Sequence, residues 1–241
     1  MDAEASHEQT KQQTVPKTGS SAKNVISAAL FLVAVYVMAI YWQYTVKDNF
    51  VAFTVTKVLP CVIMGMIAAI YAQWLISIGL LLGAGGDLLL AFANQALWVT
   101  KSPLGVPLFA MGAFSFLLGH VAYIFFAVRL HRRLSLLHLL PFVAMVGAML
   151  YKLHTSGNTS FAAVVPVYSL FISVMGWRTT AIPKTSGPNI LIGLAGVLFA
   201  ASDFTLGLVY FVAPVPHHRL IIMTTYWAAQ TLFLLQGIMR S

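Results

Sequence analysis

LLLGAGGDLLLAF, Leu80–Phe92, is apolar and glycine-rich except for one carboxylate, Asp87. With its flanks it forms an apolar run over 73–93, about the twenty residues a helix needs to cross a bilayer. A charged side chain in such a span costs roughly 2.5 to 3.5 kcal/mol on insertion scales, so Asp87 calls for a partner or a task. A second stretch has the same character. LFAASDF, Leu198–Phe204, laid on LGAGGDL, Leu82–Leu88, puts Asp203 where Asp87 stands. On this reading the rest of the chain holds two intramembrane carboxylates together.

Composition agrees with a polytopic membrane protein. Of 241 residues 59% are hydrophobic and 8% charged, whereas about a quarter of a soluble domain's residues are charged. The formal net charge of +8 is spread through loops between apolar runs. That distribution orients membrane proteins and gives no support to a nucleic-acid partner. The single cysteine, Cys61, lies within a run and excludes an intrachain disulfide. Residues 1–24 are polar and of balanced charge and read as a disordered cytosolic tail ahead of a transmembrane domain over 25–241. The first apolar run is long enough to be retained as a signal anchor.

The fold expected is all-α, with eight transmembrane helices at roughly 25–45, 51–71, 73–93, 105–129, 134–153, 160–178, 188–211 and 218–239. Eight spans bring both termini to one side. That side collects Lys11, Lys17, Lys23, Arg129, Arg132, Arg133, Arg178, Lys184 and Arg240, against Lys47, Lys101, Lys152 and Arg219 on the other. Both ends therefore face the cytosol. Asp87 and Asp203, 116 positions apart, and Pro60 and Pro166, 106 apart, suit a parallel 4+4 internal repeat. Chance matching in an apolar alphabet is the alternative. Counted from the non-cytosolic ends at 1.5 Å per residue, Lys57, Asp87 and Asp203 share a layer roughly 9 to 12 Å deep. Tyr168, Thr225 and Tyr226 fall at similar counts. His120 and Gln230 lie deeper.

Two carboxylates sharing a site do not ionise together, and a nearby ammonium favours the charged form of one. With Lys57, the pair offers one ionised and one protonated acid, as a general acid and its partner require. The structural alternative is that each Asp bonds a helix end or a serine. Lys57 either pairs with a carboxylate or snorkels to the surface. Gly79, Gly83, Gly85 and Gly86 read as sites of close helix approach. His120 is either an interhelical contact or a chemical participant, and His217, His218 and Arg219 form a headgroup-facing cluster at a span start. Trp42, Trp98 and Trp177 read as interfacial anchors. No HExxH, histidine-box or G-x-S-x-G pattern occurs, so no metal site and no serine nucleophile is expected.

Several motifs then combine: Lys57-Val-Leu-Pro, Gly86-Asp87, Gly119-His120 followed by Tyr123, Met175-Gly176-Trp177-Arg178, Ser202-Asp203, and Met223-Thr224-Thr225-Tyr226-Trp227 with Gln230. In order and spacing, over about Val51 to Gln236, the chain resembles the lysoplasmalogenase-like (YhhN) family of eight-span membrane proteins, in particular its animal members. The resemblance implies hydrolysis of the vinyl ether bond of lysoplasmalogens in the endoplasmic reticulum or another internal membrane. The products are a fatty aldehyde and glycerophosphocholine or glycerophosphoethanolamine. Lysophospholipid and water are the implied partners, and no cofactor is needed. The family's acids map to Asp87 and Asp203, its lysine to Lys57 and its histidine to His120. Tyr123, Tyr168, Thr225 and Tyr226 are the further candidates for substrate binding or electrostatic support.

The chemistry fits these residues. A vinyl ether hydrolyses by proton transfer to its outer alkenyl carbon, so an acid delivers the proton and an anion stabilises the oxocarbenium ion. The rival reading is a small lipid or proton-coupled transporter using the same aspartates as a relay. A hollow closed below the acids favours the enzyme, and a path open to both surfaces favours transport.

Overall fold

The computed structural model describes residues 18–157, 164–183 and 189–241. They form eight helices in chain order: α1 (Thr18–Tyr41), α2 (Phe50–Ile70), α3 (Trp74–Asn94), α4 (Gly105–Leu130), α5 (Leu140–Ser156), α6 (Val164–Thr180), α7 (Asn189–Phe211) and α8 (His218–Ile238). No strand occurs among the described residues. Of the expected tail, residues 1–17 lie outside the described set, and α1 is already helical from Thr18.

Six described helical segments are long and apolar enough to cross a membrane: those of α1, α2, α3, α4, α5 and α7. Eight such spans were expected. Helix α6 has 17 described residues, one turn short of a bilayer at 1.5 Å per residue. Helix α8 is long enough, but Arg219, Thr224, Thr225, Gln230 and Gln236 dilute its apolar character. Buried positions take up several of these polar groups, since Gln230 and Gln236 are fully enclosed. Helix α3 continues through a π-helical turn, Gln95–Val99, beyond its expected end.

The most extensive contacts are α3 with α4 and α7 with α8, followed by α2 with α3 and α1 with α2, and then α6 against both α4 and α7. Helices α2, α3, α4, α7 and α8 carry most of the core, whereas α5 buries only Phe142, Met149 and Leu153. Gly79 explains the tight α3–α4–α8 junction. A Cβ there would meet the Tyr123 ring at 2.4 Å, so only a glycine allows that ring to lie against the α3 backbone. The Tyr123 ring is stacked on Phe233 at 4.0 Å between centroids.

Trp42 and Trp98 are half exposed at one end of the bundle, in keeping with interfacial anchors. Trp177 is tied down instead: its Nε1 donates to the Ser135 carbonyl at 2.8 Å. Arg178, buried beside it, donates to the carbonyls of His131 and Arg133 and fastens the α4–α5 connection to α6.

Candidate active site

Lys57, on α2, does not snorkel. Its ammonium turns inward and lies 3.1 Å from Asp87 Oδ1, with side chains only 8% and 3% exposed. The glycine-rich face of α3 makes this possible, because Gly83 and Gly86 leave room for side chains from α4 and α8. A Cβ on Gly83 would stand 2.7 Å from Gln230 Nε2 and 2.8 Å from the Tyr226 hydroxyl. Tyr226 accepts from Cys61 Sγ at 3.4 Å. It lies within electrostatic reach of Asp87, although no hydrogen bond of ordinary geometry joins them, and Asp87 Oδ2 is buried without a partner. Tyr123 donates to Gln230 Oε1 and closes the cluster below.

Asp203, on α7, has different company. The Tyr168 hydroxyl of α6 donates to its Oδ2 at 2.5 Å, and His120 Nε2 of α4 stands 3.5 Å from the same oxygen. His120 is fully buried, and neither ring nitrogen has an ordinary hydrogen-bond partner. Phe199 links the two halves. Its ring contacts His120 edge-on at 4.8 Å and Tyr226 at 5.4 Å, and the two carboxylates are close enough to feel each other's charge.

Lys57, Asp87, His120, Tyr123, Tyr168, Asp203 and Tyr226 thus fall into one connected cluster. Thr225 does not join it. Its hydroxyl donates to the carbonyls of Ile221 and Ile222, one helical turn back, because adjacent residues on a helix point about 100° apart. The sequence reading left Phe199, Gln230 and Cys61 out of the site. Cys61 was findable, lying one turn beyond Lys57 on the same face; Phe199 carried no signal among so many apolar residues. Among the described residues no three of His, Cys, Asp and Glu gather into a metal-ligating group.

Two hollows flank the cluster. One is a vestibule of about 480 Å³ at the bundle end where α1 and α7 finish and α2 and α8 begin. Lys57 lines it, together with Lys47, Trp98, Tyr210 and Arg219. The other is a narrow apolar slot of about 50 Å³ among α4, α5, α6 and α7, with Asp203 and Tyr168 in its wall. Leu206 borders both. Phe204 and Met145 of the slot also border a larger groove of about 860 Å³ between α5 and α7.

Fold and site together define a helical membrane protein with a buried acid and ion-pair cluster set between a cationic vestibule and an apolar slot. The chain belongs to the YhhN family, whose pattern matches residues 52–237. It is 32% identical over 168 residues to the bovine protein named lysoplasmalogenase TMEM86A, covering 68% of this chain and 65% of that one. It is 29% identical over 181 residues to the human TMEM86A, covering 73% and 70%. Against the pig protein named lysoplasmalogenase TMEM86B it is 33% identical over 126 residues, covering 52% and 51%. No solved structure matches the chain.

Proposed function

We propose that this protein hydrolyses the vinyl ether bond of lysoplasmalogens, with Asp203 as general acid and Asp87 as the stabilising anion. The observation that carries the assignment is the unequal company of the two carboxylates. Asp87 holds the Lys57 ammonium at 3.1 Å, which favours its charged form. Asp203 has a phenol and an imidazole on Oδ2 and an apolar slot beside it, which leaves Oδ1 to carry a proton. The names of the bovine, human and pig relatives support the substrate class.

Asp203 gives its proton to the outer alkenyl carbon, and the ether oxygen lends its electrons to form the oxocarbenium ion. Asp87, whose Oδ2 has no hydrogen bond of ordinary geometry, supplies from within the cluster the negative charge that offsets the developing positive one. Water adds to the carbon attached to oxygen and its proton returns to Asp203, with His120 Nε2 at 3.5 Å able to relay it. The hemiacetal then collapses to fatty aldehyde and glycerophospho-alcohol. The alkenyl carbons at the reacting bond lie toward the apolar slot beside Asp203, and the headgroup stays in the vestibule.

Below the acids the bundle is packed. Tyr123, Gln230, Phe233 and Ile76 are essentially inaccessible, which supports an enzyme over a relay open to both surfaces. We further infer that α6 and α8 also cross the membrane, as members of a parallel 4+4 repeat. The order of contacts supports it: among helices adjacent in sequence, the last two of each half pack most closely and the first two least. Both termini would then face the cytosol of an internal membrane such as the endoplasmic reticulum.

The test is aldehyde release by the purified protein in lipid vesicles. An alkenyl lysophospholipid is cleaved and its saturated alkyl ether analogue is not; absence of aldehyde under all conditions overturns the reading.

A further inference from the structure

The vestibule holds cations that the chemistry of the two aspartates does not account for. Lys47 has no partner among the described residues. Arg219 is half buried, with its guanidinium carbon 4.2 Å from the centre of the Tyr41 ring and 5.3 Å from that of Phe53. One of its terminal nitrogens donates to the Tyr41 carbonyl at 2.8 Å and to the Tyr44 carbonyl at 2.5 Å, while its Nε is buried without a partner. Lys57 adds a third cation where the vestibule reaches the cluster. No carboxylate lines the hollow: the nearby Asp48 accepts from Thr45 Oγ1 instead.

The aromatic walls are also committed. The Tyr41 ring carries Arg219, the Trp98 ring carries Lys101 at 5.7 Å, and Tyr210 packs on Phe109 at 4.5 Å while donating to Asn94. They therefore leave little open aromatic face for a quaternary amine. Lys47 and Arg219, two cations with no carboxylate in the lining, fit an anion, while Lys57 is held by Asp87; the half-exposed Trp98 puts the hollow in the layer where lipid phosphates lie.

We propose that the vestibule is a phosphate-recognition site, in which Arg219 and Lys47 hold the phosphodiester of a lysophospholipid and Lys57 marks its inner limit. The ligand class rests on the reading above, but the site does not depend on turnover. Because Lys57 touches both the vestibule and Asp87, an anion seated there also fixes the distance between the headgroup and the acids. The amine beyond the phosphate meets no complementary charge, so the site reads the phosphate and passes over what is esterified to it.

Calorimetry with two uncleavable lipids of equal chain, 1-O-alkyl-glycerophosphocholine and 1-O-alkylglycerol, tests this on the full-length protein. The phosphate-bearing lipid is expected to bind roughly 10- to 100-fold more tightly, the size of a hydrogen bond to a charged group. Arg219→Gln and Lys47→Gln each narrow that gap, and Arg219→Lys restores part of it. Lys47 is exposed, so Lys47→Gln informs even if Arg219→Gln fails to fold. Equal affinity for the two lipids overturns the proposal, as does a gap unchanged in Lys47→Gln and Arg219→Gln. Competition by millimolar inorganic phosphate with no preference between the lipids assigns the hollow to a free anion and overturns the headgroup assignment. Binding selectivity without aldehyde release refutes the hydrolase alone, and aldehyde release without selectivity refutes the phosphate site alone.

Discussion

Lys57 Nζ and Asp87 Oδ1 are 3.1 Å apart at the inner end of the vestibule, with the lysine side chain only 8% exposed and the carboxylate 3%. Neither charge has another full ionic partner, so each depends on the other. Replacing Lys57 with Met leaves a buried unpaired carboxylate and is expected to cost about 3 to 5 kcal/mol of stability. Lys57→Met combined with Asp87→Asn removes both charges and should recover much of that loss. Thermal unfolding in detergent measures it. Additive losses would mean the pair is not coupled in solution.

The two acids separate in their assigned tasks. Asp203→Asn removes the proton donor and is expected to lower kcat by roughly 10² to 10⁴, the usual contribution of a positioned acid. Asp87→Asn removes the stabilising anion and is expected to cost about 10² to 10³. Aldehyde release from a lysoplasmalogen, with folding checked by unfolding temperature, decides both. Full activity in both variants would dispose of the site.

The sequence made the helical class, all eight helices and the two acids legible, because apolar runs and misplaced charges are local properties. It did not reveal the company each acid keeps. Whether Lys57 snorkels or pairs depends on the direction of one flexible side chain, and the surroundings of Asp203 come from α4 and α6, far away in the chain. The run over 73–93 matches α3 to its end at Asn94, but the π-helical turn that carries the helix on to Val99, beside the bond Asn94 accepts from Tyr210, is not a local property of an apolar run. Equal counting depth likewise grouped Thr225 with Tyr226, although only one of them faces the cluster.

Tyr168 and Thr225 therefore make a contrast. Tyr168→Phe deletes the donor to Asp203 Oδ2 and is expected to lower kcat by roughly 10- to 100-fold with little change in KM. Thr225→Val deletes a hydroxyl turned onto its own helix and is expected to stay within about twofold of wild type, since a change at a half-buried position away from the cluster shifts energies by about 0.5 kcal/mol or less. Steady-state kinetics on the two variants compares them directly, and equal effects would contradict the geometry.

Gly79 and Gly147 offer the same substitution in opposite surroundings. An Ala Cβ at Gly79 would stand 2.4 Å from Tyr123 Cε1, and that ring has little freedom to retreat. It is stacked on Phe233 and donates to Gln230, while the α4 backbone below is itself close, a Cβ on Gly119 meeting the Gly79 carbonyl at 3.3 Å. Gly79→Ala is expected to cost about 1 to 3 kcal/mol through overpacking, and to loosen the floor beneath the acids. At Gly147, within α5, a Cβ meets nothing within 4 Å. There the gain in helix propensity is unopposed, so Gly147→Ala should be neutral or stabilising by up to about 1 kcal/mol. Unfolding temperatures in one detergent compare the pair, and a destabilisation of similar size at both positions would contradict this account of the α3–α4–α8 junction.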